Sequence, residues 1–237
     1  VSVAIIGGTG DEGFGLALRL ARGGEDVVIG SRSEERGQDA AHRAADLLGL
    51  GSGSGSRGSV SGTSNEDAAA ACDVLVVTVP FAGQAEIYKS IRDAVRPTAV
   101  VCDATSPLAT AVGRPAWQVL TPWEGSAVEQ AKAILPSGTR LVAGFHTVSA
   151  ERLQNLEHPM EGDVLLCGGD GEAKATIGAL VEKVPDLGWV DVGPLSMARI
   201  LERLTAVLVS VNRTYGIRDA GFSLTGRDSW GQPPSKA

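Results

Sequence analysis

The first apolar run, Val3 to Ile6, contains no polar residue, the pattern of a strand covered on both faces of a parallel sheet. A glycine-rich stretch follows. From Phe14 to Arg22 the pattern turns helical, with Leu16, Ala17 and Leu20 on one side, and Gly23-Gly24 ends it. Asp26 to Gly30 reads as a second strand. Ser33 then caps a helix whose first turn carries Glu34 and Glu35 and which runs to near Leu48.

Between Gly51 and Ser64, 11 of 14 residues are Gly or Ser. So little apolar surface cannot offset the entropy of ordering, which predicts a mobile surface loop. The alternation then resumes. Asn65 caps a short helix to Ala71, Asp73 to Thr78 is a strand, Gly83 to Val95 a helix closed by Pro97, and Ala99 to Asp103 a strand. Thr105 to Gly125, with Trp117 and Trp123, is a long irregular loop of the kind that is often functional. Ser126 and Glu129 form a capping box for a helix to Leu135. Arg140 to Ala143 is a fifth strand running into Gly144-Phe145-His146-Thr147. Beyond it come a strand from Val164 to Cys167, a helix from Glu172 to Val184, a strand from Trp189 to Val192, and a long helix from Ser196 to about Tyr215. In that last helix Ile200, Leu204, Val207, Leu208 and Val211 make a broad apolar stripe, which suggests a homodimer. The polar tail from Gly226, with Pro233-Pro234, is expected to be disordered or to pack on a neighbour.

Strands alternating with helices predict an α/β fold: a Rossmann-type doubly wound parallel sheet with a small C-terminal α/β domain. The expected division is 1–147 for the nucleotide-binding domain, 148–225 for a smaller domain covering the reaction cleft, and 226–237 for the tail.

Composition narrows the function. The 237 residues are 43% hydrophobic, enough for a real core, and carry a formal net charge of −7 with no basic stripe, which argues against nucleic acid. The apolar stretches, such as Val74 to Val79, are too short to cross a bilayer. No charged leader opens the sequence, so the expected location is the cytoplasm, with no membrane partner. Cys72, Cys102 and Cys167 are isolated, and His42, His146 and His158 lack metal-ligand spacing. Neither a metal site nor a Ser/His/Asp or Cys/His nucleophile is expected, so no residue is assigned a catalytic role.

What does stand out is Gly8-Thr9-Gly10-Asp11-Glu12-Gly13, a G-x-G-x-x-G sequence that follows a buried strand and opens a helix. In that context Gly8 permits the turn, Gly10 lets backbone approach a pyrophosphate, and Gly13 lets helix and strand pack. Backbone N–H groups of Thr9 to Glu12 then point at phosphate from a helix N-terminus. The tip of the second strand discriminates between cofactors. Gly30-Ser31-Arg32-Ser33 offers no carboxylate for two ribose hydroxyls; instead Ser31, Arg32 and Arg36 suit a 2′-phosphate, and NADP is the expected cofactor.

With these residues in view, the sequence resembles the NADPH-dependent coenzyme F420 reductases. The likeness runs through Val3 to Gly10, Gly15 to Ala21 and Gly30 to Arg32, then Asn65 to Ala69, Thr78 to Pro80, Phe145 to Val148, and Gly193 to Ser196. It implies direct hydride exchange between nicotinamide C4 and C5 of an 8-hydroxy-5-deazaflavin, so that the partners are small-molecule redox carriers, NADP and coenzyme F420. It also implies that Thr9 to Glu12, Ser31, Arg32, Arg36, Phe81 and Ala150 contact NADP, with Thr78 and Pro80 at the same site. His146, Thr147 and Val148 would lie near the deazaflavin, with Leu195. Such chemistry asks the protein mainly to hold two rings face to face, with reacting carbons roughly 3–3.5 Å apart. The Gly/Ser stretch, the loop from Arg114 to Trp123 and the tail depart from the family pattern. Two other readings stay open. One is a soluble NADPH-dependent flavin reductase, because the cytoplasmic domain of six-transmembrane metalloreductases is also similar here. The other is a non-catalytic NADPH-binding redox sensor.

Overall fold

Val3, Ala4, Ile5 and Ile6 are all fully buried, and successive side chains enter two different cores. Ile5 packs into one and Ile6 into the other, each burial stabilising by about 1.5–3 kcal/mol. A strand covered on both sides dictates helices on both sides. The computed structural model describes residues 2–50, 58–226 and 230. Along the chain it runs β1 (Ser2–Ile6), α1 (Asp11–Arg22), β2 (Asp26–Ser31), α2 (Glu34–Leu48), β3 (Val60–Ser64), α3 (Asn65–Ala71), β4 (Val74–Val77) and α4 (Phe81–Ile91). It continues β5 (Val100–Asp103), α5 (Ala127–Ile134), β6 (Arg140–Ala143), α6 (Ala150–Gln154), β7 (Gly162–Gly168), α7 (Gly171–Val181), β8 (Leu187–Asp191) and α8 (Ala198–Tyr215).

The strands make one eight-stranded sheet in the order β3-β2-β1-β4-β5-β6-β7-β8. The first six are mutually parallel; β7 pairs antiparallel to β6, and β8 follows β7 in parallel. The α/β, doubly wound reading therefore holds. Side chains of α1, α2, α6 and α7 fill one core, and those of α3, α4, α5 and the start of α8 fill the other. The order reverses between β1 and β4, and open α/β sheets bind ligands at such a point, outside the carboxyl ends of the strands.

Several expected elements differ. Part of the expected Gly/Ser loop is a strand: β3 pairs along its full length with β2, from Val27 opposite Val60 to Ser31 opposite Ser64. Its support is the backbone ladder, which Gly and Ser can supply without any apolar period, so hydropathy does not register it. Residues 51–57 of that stretch lie outside the described residues, as do residues 227–229 and 231–237 of the tail. Ser64 rather than Asn65 caps α3, accepting from the Asp67 N–H. The helix expected from Gly83 starts at Phe81, and a short α6 occupies a stretch that carries too few residues for a period to show. Beyond β6 the chain returns to the same sheet, which β7 and β8 extend.

Two polar anchors set the parts that matter for the site. Buried Arg19 of α1 donates to the backbone carbonyls of Arg152 (2.7 Å), Leu153 (3.0 Å), Asn155 and His158 (2.9 Å), which fixes α6 on α1. Buried Glu202 of α8 accepts from the N–H groups of Ala127 (2.7 Å) and Val128 (3.1 Å) and so caps α5 from outside. Arg199, one turn earlier, donates twice to Glu129 at 2.8 Å.

Candidate functional site

The turn after β1 owes its shape to Gly7, whose φ of +76° is left-handed and whose N–H donates to Asn65 Oδ1 at 3.1 Å. The conformational freedom expected at Gly8 thus falls one residue earlier. Gly13 is required by proximity, since a Cβ there would collide with Thr78 Oγ1 and the Gly8 backbone. By contrast, a Cβ at Gly10 would meet only the Gly7 carbonyl oxygen, at an ordinary contact distance of 3.5 Å; Gly10 is the N-cap of α1 and makes no side-chain cap over the first turn's N–H groups.

A cavity of about 820 Å³ opens from this turn. At one end are Ser31, Arg32 and Arg36. Ser31 is buried at the tip of β2, whereas both arginines are exposed. Neither arginine has a hydrogen bond or ion pair among the described residues. Glu34, two residues from each arginine, instead accepts from Gln38 at 2.9 Å along its own helix. The end of the cavity is thus a free cationic pair beside a hydroxyl, which matches a phosphate monoester.

Toward the other end the lining passes Thr78 and Pro80 to Thr105, Ser106, His146 and Thr205. His146 enters through an unusual turn: Phe145, buried and not glycine, holds φ +67°. Burial keeps the His146 imidazole neutral, its pKa lowered to about 3. Its Nε2 is buried without a partner, and the only other such side-chain atom among the described residues is Oε1 of Glu12. Both residues line this cavity. A hydroxyl chain steadies the turn. Thr205 Oγ1 donates to the His146 carbonyl (2.7 Å), so the 2.6 Å contact with Ser106 Oγ has Ser106 as donor. A second space of about 560 Å³, which shares His146, Val148 and Thr205, also touches Thr147 and extends along α8 to Asn212 and Arg218.

Of the expected contact residues, Thr9, Gly10, Asp11, Glu12, Ser31, Arg32, Arg36, Thr78, Pro80, His146, Val148 and Ala150 come together around the larger cavity. Gly8 and Gly13 lie behind the turn, and Thr147 faces the second space. Phe81 and Leu195 are not in the lining; Leu195 packs instead against the core under α8. Residues that sequence reasoning missed are Asn65 as the partner of Gly7, and Thr105, Ser106 and Thr205. Asn65 was the one with a visible signal, being a polar residue that opens a helix at a strand end.

A parallel sheet with its glycine turn, bare helix N-terminus and free arginine pair at the switch point defines a dinucleotide-binding Rossmann protein. Residues 2–107 match the family described as NADP oxidoreductase, coenzyme F420-dependent. An F420-dependent NADP reductase of Methanothermobacter thermautotrophicus is 39% identical over 226 residues, covering 95% of each chain. That of Methanocaldococcus jannaschii is 34% identical over 225 residues, 95% of this chain and 98% of the relative. The chain belongs to this family. In fold it is similar to a crystal structure from Arthrobacter sp. FB24, described as a candidate F420-dependent NADP reductase, at a TM-score of 0.77 and 22% identity, covering 94% of this chain and 98% of that one.

Proposed function

We propose that this protein transfers a hydride between NADP(H) and the deazaflavin coenzyme F420, as the names of its relatives state for them. The observation that carries the reading is the continuity of one cavity from the arginine pair to His146. The α1 N-terminus holds the pyrophosphate, Arg32 and Arg36 pair with the 2′-phosphate, and Ser31 adds a hydrogen bond. The nicotinamide then lies toward Thr78, Pro80 and Thr105. The deazaflavin enters past Val148 and Thr147, against the unpartnered His146 Nε2. Both redox carriers bring their own reactivity, so these residues bind, orient and exclude water. No protein nucleophile takes part. A neutral imidazole is a fixed hydrogen-bonding dipole rather than a charged acid, which suits orienting a bound ring.

Residues 1–147 supply the nucleotide half of the cleft and 148–225 its cover. We also read the protein as a homodimer joined through α8, where Ile200 and Val207 are 56% and 50% exposed and Val207 lies beside Trp117 and Tyr215. Equilibrium sedimentation of wild type against Val207→Lys tests this: a dimer and a monomer are expected, and a monomeric wild type would refute it. The three free, buried cysteines fit a reducing compartment, and we place the protein in the cytoplasm. Among the described residues no helix is long and apolar enough to cross a membrane.

The activity is tested by mixing the purified protein with NADPH and oxidised F420 and following loss of the deazaflavin absorbance. Turnover with F420 and none with FMN is expected. Turnover of FMN alone would make it a flavin reductase, and tight NADPH binding without turnover of either would make it a sensor.

A further inference from the structure

Glu12 is chemically out of place. It is the second of two acidic residues in the first turn of α1, at the site that must receive an anionic pyrophosphate. Its neighbour Asp11 is exposed, but Glu12 lines the cavity and its Oε1 is buried without a hydrogen-bond partner.

Its direction follows from its electrostatic neighbours. The carboxylate that acts on it is Asp103 at the end of β5, and it in turn acts on Cys102 of the same strand. In the sheet β4 and β5 lie on the opposite side of β1 from β2, which carries the arginine end. The Glu12 carboxyl therefore lies within electrostatic reach of the β5 side of the cavity, the half that holds Thr78, Thr105 and His146.

The two buried carboxyls differ in their donors. Asp103 accepts from Tyr88 O–H (2.6 Å), Gln84 N–H (2.8 Å) and Thr105 N–H (2.8 Å), all of which favour the charged form. Glu12 has no such set. When two acids share a site, the one with the donors keeps the charge and the other keeps the proton. The other faces offer Glu12 no counter-charge: β1 (Ser2–Ile6) contains no titratable side chain, Thr78 and Thr105 are uncharged, and His146 is neutral. On α6, Arg152 is paired with Asp219, and Glu151 with Arg218.

We infer that Glu12 works as a neutral carboxylic acid, donating its O–H to an acceptor oxygen on the nicotinamide half of bound NADP(H). Burial, with Asp103 adding to it, pushes the Glu12 pKa up to about 8, so the proton is present at neutral pH. Ionisation removes the donor and sets a carboxylate against the dinucleotide, and affinity then declines. The inference rests on the nucleotide-site reading above.

The test is the affinity of the full-length protein for NADPH between pH 6 and 10, alongside 2′,5′-ADP, which lacks the nicotinamide half, and with Glu12→Gln as the variant. NADPH affinity of the wild type should fall roughly tenfold per pH unit above about 8. The 2′,5′-ADP affinity should stay level there, and Glu12→Gln should lose the NADPH decline. An equal decline for both ligands, which needs no variant to observe, would overturn the inference, as would a wild-type profile retained in Glu12→Gln. Failure of NADPH to bind at any pH would overturn the nucleotide-site reading and this one with it.

Discussion

At the Arg32 end of the cavity, the groups facing the ligand are exposed cations and backbone N–H donors. At the His146 end they are uncharged, with His146 and Thr105 buried and Ser106 and Thr205 half-buried. Arg32 and Arg36 are exposed and have no hydrogen-bond or ion-pair partner among the described residues, so each keeps its hydration until a phosphate arrives. His146 is 6% exposed and neutral, and its turn is held by the Thr205–Ser106 pair. The contrast shows a division of labour. Charge recognises the cofactor at a distance and is tolerant of geometry, whereas buried hydrogen bonds orient the reacting rings and are not.

Substitutions at the two ends should separate these roles. Arg32→Ala with Arg36→Ala is expected to cost the most, weakening NADPH binding roughly 100-fold while changing NADH binding less than about threefold. Isothermal titration reads both, and equal losses would erase the assignment of this end. His146→Ala should raise the KM for F420 roughly tenfold and leave the NADPH dissociation constant near its wild-type value. Because the His146 pKa is lowered to about 3, the wild-type rate profile should carry no inflection from it near its ordinary value of 6.5. Thr205→Val, the mildest of the three, leaves the His146 carbonyl without its partner and should raise the same KM about fivefold. A Thr205 variant that loses NADPH affinity instead would blur the boundary between the two ends.

The same boundary separates what the sequence reveals from what it hides. The Arg32 end is built from one contiguous β-α-β stretch, with strand, turn, helix start and arginines all within residues 3–36. Local pattern suffices there. The His146 end joins Ser106 to Thr205, 99 residues apart, by a hydrogen bond between two ordinary hydroxyl side chains. Nothing in the neighbourhood of either residue advertises the pairing. β3 is hidden for another reason: its Val-Ser-Gly-Thr-Ser has no apolar period, and its order comes from the ladder with β2. Asn65 was visible as a polar helix start, but its bond to the Gly7 N–H needs the fold to bring two segments 58 residues apart together.

Direct meeting of the two carriers in this cleft means that hydride passes from nicotinamide C4 to deazaflavin C5 without exchange with solvent. It is tested most simply by isotope transfer. With NADPH deuterated separately at each face of nicotinamide C4, one of the two labels should appear at C5 of the reduced F420 made in ordinary water. Reduced F420 carrying no label from either face would mean the hydrogen came by way of solvent, and would contradict direct transfer.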